Sequence, residues 1–304
     1  MKANFRKYKE DDFIRIRDFL KATYKETGMP SNWLIDRWNF VRYVSQTMHE
    51  TFDSWPDTVG LWEDSRGSII SVVCSEGELR GEAFFQMSTH ELPEELLQAM
   101  FEYAENNLAL NEKGMKRINL RIPENALAIE RMALERGYRH SSWNETISAM
   151  DLRGSLSVSL PEGFEIRSGN QLTENAQGIA HAKAFGYIDT DYVKRSPLCY
   201  AMLKKAPDYR ADLDLAVVNK EGEIVSFCTV WYDSVNQIGI LEPVGTHSGY
   251  RKMGLGRAVI YEGLNRIMAK GATKAFVGSD QEFYSRIGLK PVFRLHVWEK
   301  AMQE

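Results

Sequence analysis

Apolar segments separated by short polar turns predict a pair of adjacent strands at two places in the chain. The first place is residues 61–73, with a turn at Gly67, and the second is residues 216–232, with a turn at Gly222. Apolar runs of this length bounded by turn residues are typical of strands. Both turns continue as Gly-x-Ile-x-Ser, so the two hairpins are alike in sequence as well as in pattern.

A second pattern also occurs twice. Residues 130–150 and 282–302 each predict a short helix, a glycine that ends it, and a strand. These glycines, Gly137 and Gly288, are separated by nearly the same distance as the two hairpin turns. Two similar offsets at separate places indicate an internal duplication.

The boundary between the two copies falls near the middle of the chain. Residues 152–163 contain many turn formers and show little hydrophobic periodicity. We therefore predict a first domain at 1–153 and a second at 160–304. Strands and helices are interspersed in both, which predicts the α/β class, with a mixed sheet and helices on both faces.

The composition is that of an ordinary globular protein, with 304 residues, 43% of them hydrophobic, and a formal net charge of −4. This charge argues against nucleic acid as a partner. We expect no membrane partner, because no apolar run has the length of a signal peptide or a membrane span. Three widely separated cysteines (Cys74, Cys199 and Cys228) without metal-ligand spacing predict reduced thiols in the cytoplasm and no metal.

Glycine and basic residues are concentrated in residues 249–264, which read GYRKMGLGRAVIYEGL. A strand interrupted by Pro243 precedes them, and a helix is predicted at 257–269. Because proline lacks an N–H donor, we expect a bulge or a splayed strand there. The first N–H groups of a helix have no internal partner and carry the positive end of its dipole, and glycine permits close approach to them. With its three basic side chains, the stretch predicts a phosphate-binding loop.

The loop fits neither of two common nucleotide motifs. It lacks the Walker spacing, and Gly254 and Gly256 are not followed by the third glycine of a dinucleotide fingerprint. It does match Arg-x-x-Gly-x-Gly, beginning at Arg251. With this motif the sequence resembles the GNAT-type N-acetyltransferases, whose acetyl-CoA loop carries (Gln/Arg)-x-x-Gly-x-(Gly/Ala). Residues 242–251 and the Tyr-x-x-x-Gly ending within 279–290 extend the resemblance to about residues 160–300.

The resemblance implies two tandem GNAT-like domains, each a mostly antiparallel mixed sheet with helices on both faces. It implies acetyl-CoA as co-substrate, with the pyrophosphate on loop amides and the pantetheine arm on the free edge of the preceding strand. The residues at matching positions are Val244, Thr246, Arg251, Lys252, Met253, Gly254, Gly256 and Arg257.

Two residues are candidates for the chemistry of transfer. Tyr284 matches the tyrosine that in many family members protonates the leaving thiolate; the alternative is an aromatic that packs the short helix. Glu242 is positioned to take a proton from the amine, or alternatively to order the Pro243 kink. His247 is a second candidate base, ranked below Glu242.

Aromatic residues elsewhere in the second half offer contacts to an acceptor. Family members usually draw these contacts from the region that here contains Tyr187, Asp189 and Tyr192. Trp231 also lies at the end of a strand that should face the cleft. We interpret all four chiefly as core and rim residues.

The first half lacks both chemical signatures. The place that corresponds to the loop, residues 88–97, has no Gly-x-Gly and is acidic, and Ala133 stands opposite Tyr284 when Gly137 and Gly288 are aligned. An acidic helix start disfavours phosphate. We therefore predict a degenerate GNAT-like domain at 1–153 that does not bind the cofactor.

The leading functional hypothesis is transfer of an acetyl group from acetyl-CoA to a primary amine of a small molecule or peptide by direct attack. The alternative is a non-catalytic module that senses CoA or another ligand. A nucleotide-binding protein is disfavoured, because the P-loop lysine spacing is missing. The sequence indicates neither the acceptor nor the oligomeric state.

Overall fold

The computed structural model describes residues 3–49 and 54–303. Its strands are β1 (Asn4–Lys7), β2 (Gly60–Glu63), β3 (Ile69–Cys74), β4 (Glu82–Met87), β5 (Leu110–Glu112), β6 (Met115–Pro123), β7 (Arg139–Asp151), β8 (Glu165–Ser168), β9 (Asp214–Val218), β10 (Ile224–Asp233), β11 (Ile238–Thr246), β12 (Lys274–Val277) and β13 (Lys290–Gln303). Its α-helices are α1 (Asp12–Thr27), α2 (Ile35–Phe40), α3 (Gln46–His49), α4 (Glu94–Asn107), α5 (Leu127–Glu135), α6 (Glu174–Phe185), α7 (Ser196–Leu203), α8 (Leu255–Met268) and α9 (Glu282–Arg286). Both predicted hairpins are present, as the antiparallel pairs β2–β3 and β9–β10.

The chain divides into two compact units. Unit 1 contains Met1–Val41, His49–Ile147 and Val292–Glu304, and unit 2 contains Arg42–Met48 and Ser148–Pro291. This division differs from the boundaries 1–153 and 160–304 that the sequence predicts.

The difference arises chiefly from the strand that ends each predicted domain. Residues 148–151 of β7 pair antiparallel with β12 in unit 2, whereas residues 295–303 of β13 pair antiparallel with β6 in unit 1. The repeated pattern of helix, glycine and strand predicts a strand at each place. It does not predict the partner, because alternation along a strand specifies only which side chains share a face.

In unit 1 the strands follow the order β1-β2-β3-β4-β6-β13-β7, with β5 against β6. The pair β4–β6 is parallel, and β1–β2, β2–β3, β3–β4 and β6–β13 are antiparallel. Helices α4 and α5 contribute Met100, Phe101 and Ile129 to one buried core cluster.

In unit 2 the order is β7-β12-β11-β10-β9-β8, and only β11–β12 is parallel among the strand pairs of its described residues. Successive residues of β9 face opposite sides of the sheet. Leu215 and Val217 belong to a core cluster with α8, whereas Ala216 and Val218 belong to a cluster with α6. The predicted mixed sheet with helices on both faces is therefore confirmed.

Helix α8 begins two residues before the predicted start at 257. Gly254 precedes it with φ +83, a left-handed conformation that glycine adopts without steric cost. On the core side, Leu255, Val259 and Leu264 are each 1% exposed or less. No helix within residues 3–49 and 54–303 has the length and apolarity needed to cross a bilayer.

Candidate active site

A bulge interrupts β11 where the sequence predicts an irregular strand. Cys228 lies opposite Val244 and Val230 opposite Leu241, so β11 uses one residue more than β10 between these pairs, and Pro243 is accommodated there. The Trp231 indole Nε1 donates a hydrogen bond to the Glu242 carbonyl oxygen at 2.7 Å. Trp231 is buried, as the sequence predicts. Its hydrogen bond also stabilises the bulge, a role that no sequence pattern indicates.

Beyond the bulge, β11 separates from its parallel neighbour. The pairing with β12 ends where Ile240 lies opposite Phe276, while β11 continues to Thr246. His247 N donates to Val225 O of β10 at 3.0 Å. Because successive residues of a strand direct their N–H and C=O groups to opposite edges, the backbone groups of Thr246 and Val244 face away from β10, toward the gap.

The loop after β11 leads these strand edges into the start of α8. His247 Nδ1 accepts a hydrogen bond from Gly249 N at 3.2 Å, so this side chain caps the turn at Ser248–Tyr250. Lys252 has φ +66, a conformation uncommon for a residue other than glycine. The candidate base His247 is thereby engaged in shaping the loop.

A row of amides opens α8. The amide of Ala258 donates to Gly254 O at 3.0 Å, and the amides of the three preceding residues have no carbonyl to bond within the helix. These are Leu255, Gly256 and Arg257. Leu255 is absent from the residues that the motif singles out, although a first-turn amide contributes whatever its side chain.

The two glycines of the loop are required for different reasons. Gly254 needs its left-handed backbone, and a Cβ added there would have no neighbour within 4 Å among the described residues. Gly256 is helical; a Cβ there would lie 3.2 Å from Phe283 Cζ and 3.2 Å from Thr246 Oγ1. The expected positive φ is therefore present at Gly254, and close packing explains Gly256.

Arg251 interacts with backbone carbonyls. Its Nε donates to Thr246 O and its Nη2 to Ala184 O, both at 3.3 Å. The guanidinium thus joins the end of β11 to the carboxyl end of α6. The side chains of Lys252 and Arg257 are exposed beside the row of amides, and Met253 is 42% exposed.

Tyr284 lies in α9 and is 8% exposed. The glycine predicted to end this helix, Gly288, has φ +103. Burial raises the pKa of Tyr284, and the charges of Cys228 and Glu242 act in the same direction. The hydroxyl therefore stays protonated at neutral pH, within electrostatic reach of the exposed Glu242. Burial is the main reason that the pKa of Tyr200 in α7 is raised, and Asp214 and Glu242 act in the same direction.

Unit 1 contains a parallel strand pair at the corresponding place. The pairing of β4 with β6 ends where Phe84 lies opposite Arg121. Ser88 N donates to Ile70 O of β3 at 2.9 Å. By the same alternation, the backbone groups of Met87 face away from β3.

Asn32 occupies this edge in unit 1. Its Nδ2 donates to Met87 O at 2.8 Å, and its Oδ1 accepts from Met87 N at 2.9 Å. Next to it, Trp33 N donates to Gln86 Oε1 at 2.7 Å. The edge that corresponds to Val244 and Thr246 is thus already hydrogen-bonded to the unit's own chain.

Comparison with known proteins agrees with this architecture. Residues 184–289 match the model of the acetyltransferase (GNAT) family. A tandem GNAT protein from the clavulanic acid biosynthesis pathway is 12% identical, with a TM-score of 0.66 over 99% of this chain and 98% of that one. A GCN5-related N-acetyltransferase from Sphaerobacter thermophilus is 16% identical, with a TM-score of 0.63 over 99% and 96%.

A search of curated protein sequences gave no match. The structural likenesses extend over the whole length of the chain, whereas the family model matches its second half only. Residues 184–289 therefore belong to the GNAT acetyltransferase family, and the chain as a whole has the fold of a tandem GNAT protein.

Proposed function

We propose that unit 2 transfers an acetyl group from acetyl-CoA to a primary amine of a small molecule or peptide. One observation carries the proposal: the separated edge of β11 leads directly into the row of amides at the start of α8. Such a row, at the positive end of a helix dipole, is suited to a pyrophosphate. The amides of Lys252, Met253, Gly254, Gly256 and Arg257, together with that of Leu255, would hold it.

The strand edge before the loop suits an extended amide-containing arm. The backbone groups of Val244 and Thr246 face the gap between β11 and β12. Thr246 O already accepts from Arg251 at 3.3 Å, and a carbonyl oxygen can accept a second hydrogen bond. Arg251 would therefore position the edge, whereas Lys252 and Arg257 would supply charge to the phosphates.

Tyr284 and Glu242 would divide the proton transfers of a direct attack. The amine nitrogen forms a bond to the acetyl carbonyl carbon, and the carbon–sulfur bond breaks. Glu242 takes the proton that the amine loses, directly or through water, and Tyr284 gives its proton to the departing thiolate. Tyr284 is protonated at neutral pH, as an acid must be before the reaction, although burial raises its pKa and so makes it a weaker acid than a free tyrosine.

The contacts of unit 1 support a single cofactor site in each chain. A pantetheine arm on β4 would have to displace the Asn32 side chain from both backbone groups of Met87. Breaking two partly buried hydrogen bonds without a basic glycine loop to compensate is unfavourable. We propose that unit 1 does not bind CoA.

Incubation with acetyl-CoA and a panel of amines, with detection of the released thiol, tests the function. We expect thiol release that depends on at least one amine and that the Tyr284→Phe chain performs much more slowly. Tight CoA binding without turnover on any amine would instead favour the sensing module.

A further inference from the structure

A buried ion pair lies in the sheet of unit 1 where unit 2 has apolar side chains. Arg121 lies opposite Phe84 in the last pair of β4 with β6, and its Nη2 donates to Glu82 Oε1 at 2.8 Å. Both charged side chains are 9% exposed. The matching pair of β11 with β12 has Phe276 at the place of Arg121 and Ile238 at that of Glu82. Because a buried ion pair is often no more stabilising than apolar residues in its place, this one indicates a role other than stability.

The guanidinium of Arg121 has donors that the protein itself leaves unused. Its Nε and Nη1 are buried and have no hydrogen-bond partner among the described residues, whereas nearly all buried polar groups in proteins are paired. The group lies 5.3 Å from the ring centroid of Phe84 and 5.4 Å from that of Trp143. Trp33, 4.9 Å from Phe84 between centroids, has a buried Nε1 that is unpaired in the same sense. These N–H groups could donate to a carboxylate.

Carboxylates outnumber guanidiniums in the ion pairs of this region. Arg37 of α2 pairs with Glu76 and also donates from Nη2 to Glu145 Oε1 at 3.1 Å. Glu145 follows Trp143 by two residues in β7, so their side chains share one face of the strand. Burial raises the pKa of Glu76 to about 7 despite Arg37, and Glu145 and Glu82 act in the same direction as burial. The three glutamates are therefore close enough to repel one another, with only two arginines to offset them.

The donors and the carboxylates make different demands on a ligand. A simple anion would bond the free N–H groups of Arg121 but would add to the excess of negative charge. A simple cation would offset the glutamates but would leave those N–H groups unpaired. A molecule with both charges meets both demands, and aromatic rings are favourable neighbours for an ammonium group. Trp143 is 53% exposed, so this region reaches the surface of unit 1.

We propose that unit 1 binds a small zwitterion with an ammonium and a carboxylate on one molecule, as in a free amino acid. Arg121 holds the carboxylate, and Glu76 and Glu145 face the ammonium. All the residues of this zwitterion site belong to unit 1, so the inference does not depend on the transferase function proposed for unit 2. It gives a binding role to the unit that we expect not to bind CoA.

Calorimetric titration of the full chain with each of the common free amino acids tests the proposal. Propionate and propylamine serve as probes that carry only one of the two charges, and acetyl-CoA is omitted so that no transfer takes place. We expect at least one amino acid to bind at one site per chain, roughly tenfold or more tightly than either singly charged probe.

Two arginine variants locate the bound amino acid. Arg121→Lys keeps a positive charge beside Glu82 but removes the unpaired guanidinium donors. It should weaken binding roughly ten- to a hundredfold, as expected for one or two lost charge-assisted hydrogen bonds. Arg136→Lys is the matched control, because Arg136 is also an arginine of unit 1 that pairs with one glutamate, Glu105, and lies over a ring, that of Phe101. It should bind the amino acid as the parent does.

A second variant covers the case in which Arg121→Lys does not fold. Glu145→Gln removes a carboxylate from the partly exposed side of the site, where the side chain is 17% exposed. It should weaken binding by a similar factor.

Several outcomes would overturn the proposal. These are the absence of binding by any amino acid at millimolar concentration, equal binding of propionate or propylamine, and an equal loss of affinity in Arg136→Lys. An affinity that stays at the parental value in folded Arg121→Lys or in Glu145→Gln would place the amino acid elsewhere in the chain.

Discussion

At the scale of single residues, the two glycines of the motif meet different structural demands, one of backbone conformation and one of packing. Gly254 requires a left-handed backbone beside open space, and Gly256 requires the absence of a side chain between Phe283 and Thr246. The motif predicts both positions, because glycine satisfies either demand at the least steric cost. It does not predict which demand applies, since that depends on how α9 and β11 pack around the loop.

Gly222 provides a matched control for Gly254. Its φ is +81 against +83, and an added Cβ would have no neighbour within 4 Å among the described residues at either position. Valine at each should therefore destabilise the chain similarly, by about 1–3 kcal/mol. Only Gly254→Val should weaken acetyl-CoA binding, by roughly ten- to several-hundred-fold, as expected for one or two lost charge-assisted hydrogen bonds.

Calorimetric titration of acetyl-CoA and thermal unfolding of both variants would check this expectation. A folded Gly254→Val chain that binds acetyl-CoA as the parent does would show that the stretch is only a turn.

Tyr284→Phe should separate catalysis from binding. The hydroxyl acts only as charge develops on the thiolate, so its removal should lower kcat by roughly 10²–10⁴-fold and leave acetyl-CoA affinity nearly unchanged. Steady-state kinetics and direct titration of the same preparation measure the two quantities. A variant with parental kcat would restrict Tyr284 to packing α9 against the core.

At the scale of elements, the patterns predict the identity of the hairpins and of α8 better than they predict strand partners. The alternation in residues 139–151 and 290–303 indicates two strands. Each of these strands could pair with a strand of either unit and still direct the same side chains toward the core. The partner that each strand takes depends on contacts between residues far apart in the sequence, which local periodicity does not encode. Likewise, Asn32 gives no sequence signal, because its role arises only where it meets Met87.

The packing of α6 gives unit 2 a defined pH dependence. The pKa of His181 is lowered from 6.5 to about 4 by burial, so the unfolded chain binds a proton more readily than the folded one. The free energy of unfolding should therefore fall as the pH drops from about 6.5 toward 4. His181→Gln removes this titration and should flatten that part of the profile.

Urea titrations of the parent and of His181→Gln at pH 7 and pH 4.5 would measure the effect. Equal losses of stability in both chains would mean that His181 does not contribute.

At the scale of the whole molecule, each unit contains a parallel strand pair whose strands separate, and the two separated edges differ in their hydrogen bonding. In unit 2 the edge of β11 leads into a basic glycine loop. In unit 1 the side chain of Asn32 bonds the edge of β4. The internal duplication that the sequence predicts would account for the common architecture, and these contacts explain why we expect the two units to differ in binding.

The number of CoA molecules bound per chain tests this account most directly. The measurement requires the full chain, because a fragment ending near residue 152 would lack β13, which pairs with β6 in unit 1. Calorimetric titration of CoA into the full chain should give one site, abolished or strongly weakened by Gly254→Val and retained in Gly222→Val. Two sites per chain, or a single site that survives Gly254→Val in the folded protein, would contradict the assignment of cofactor binding to unit 2 alone.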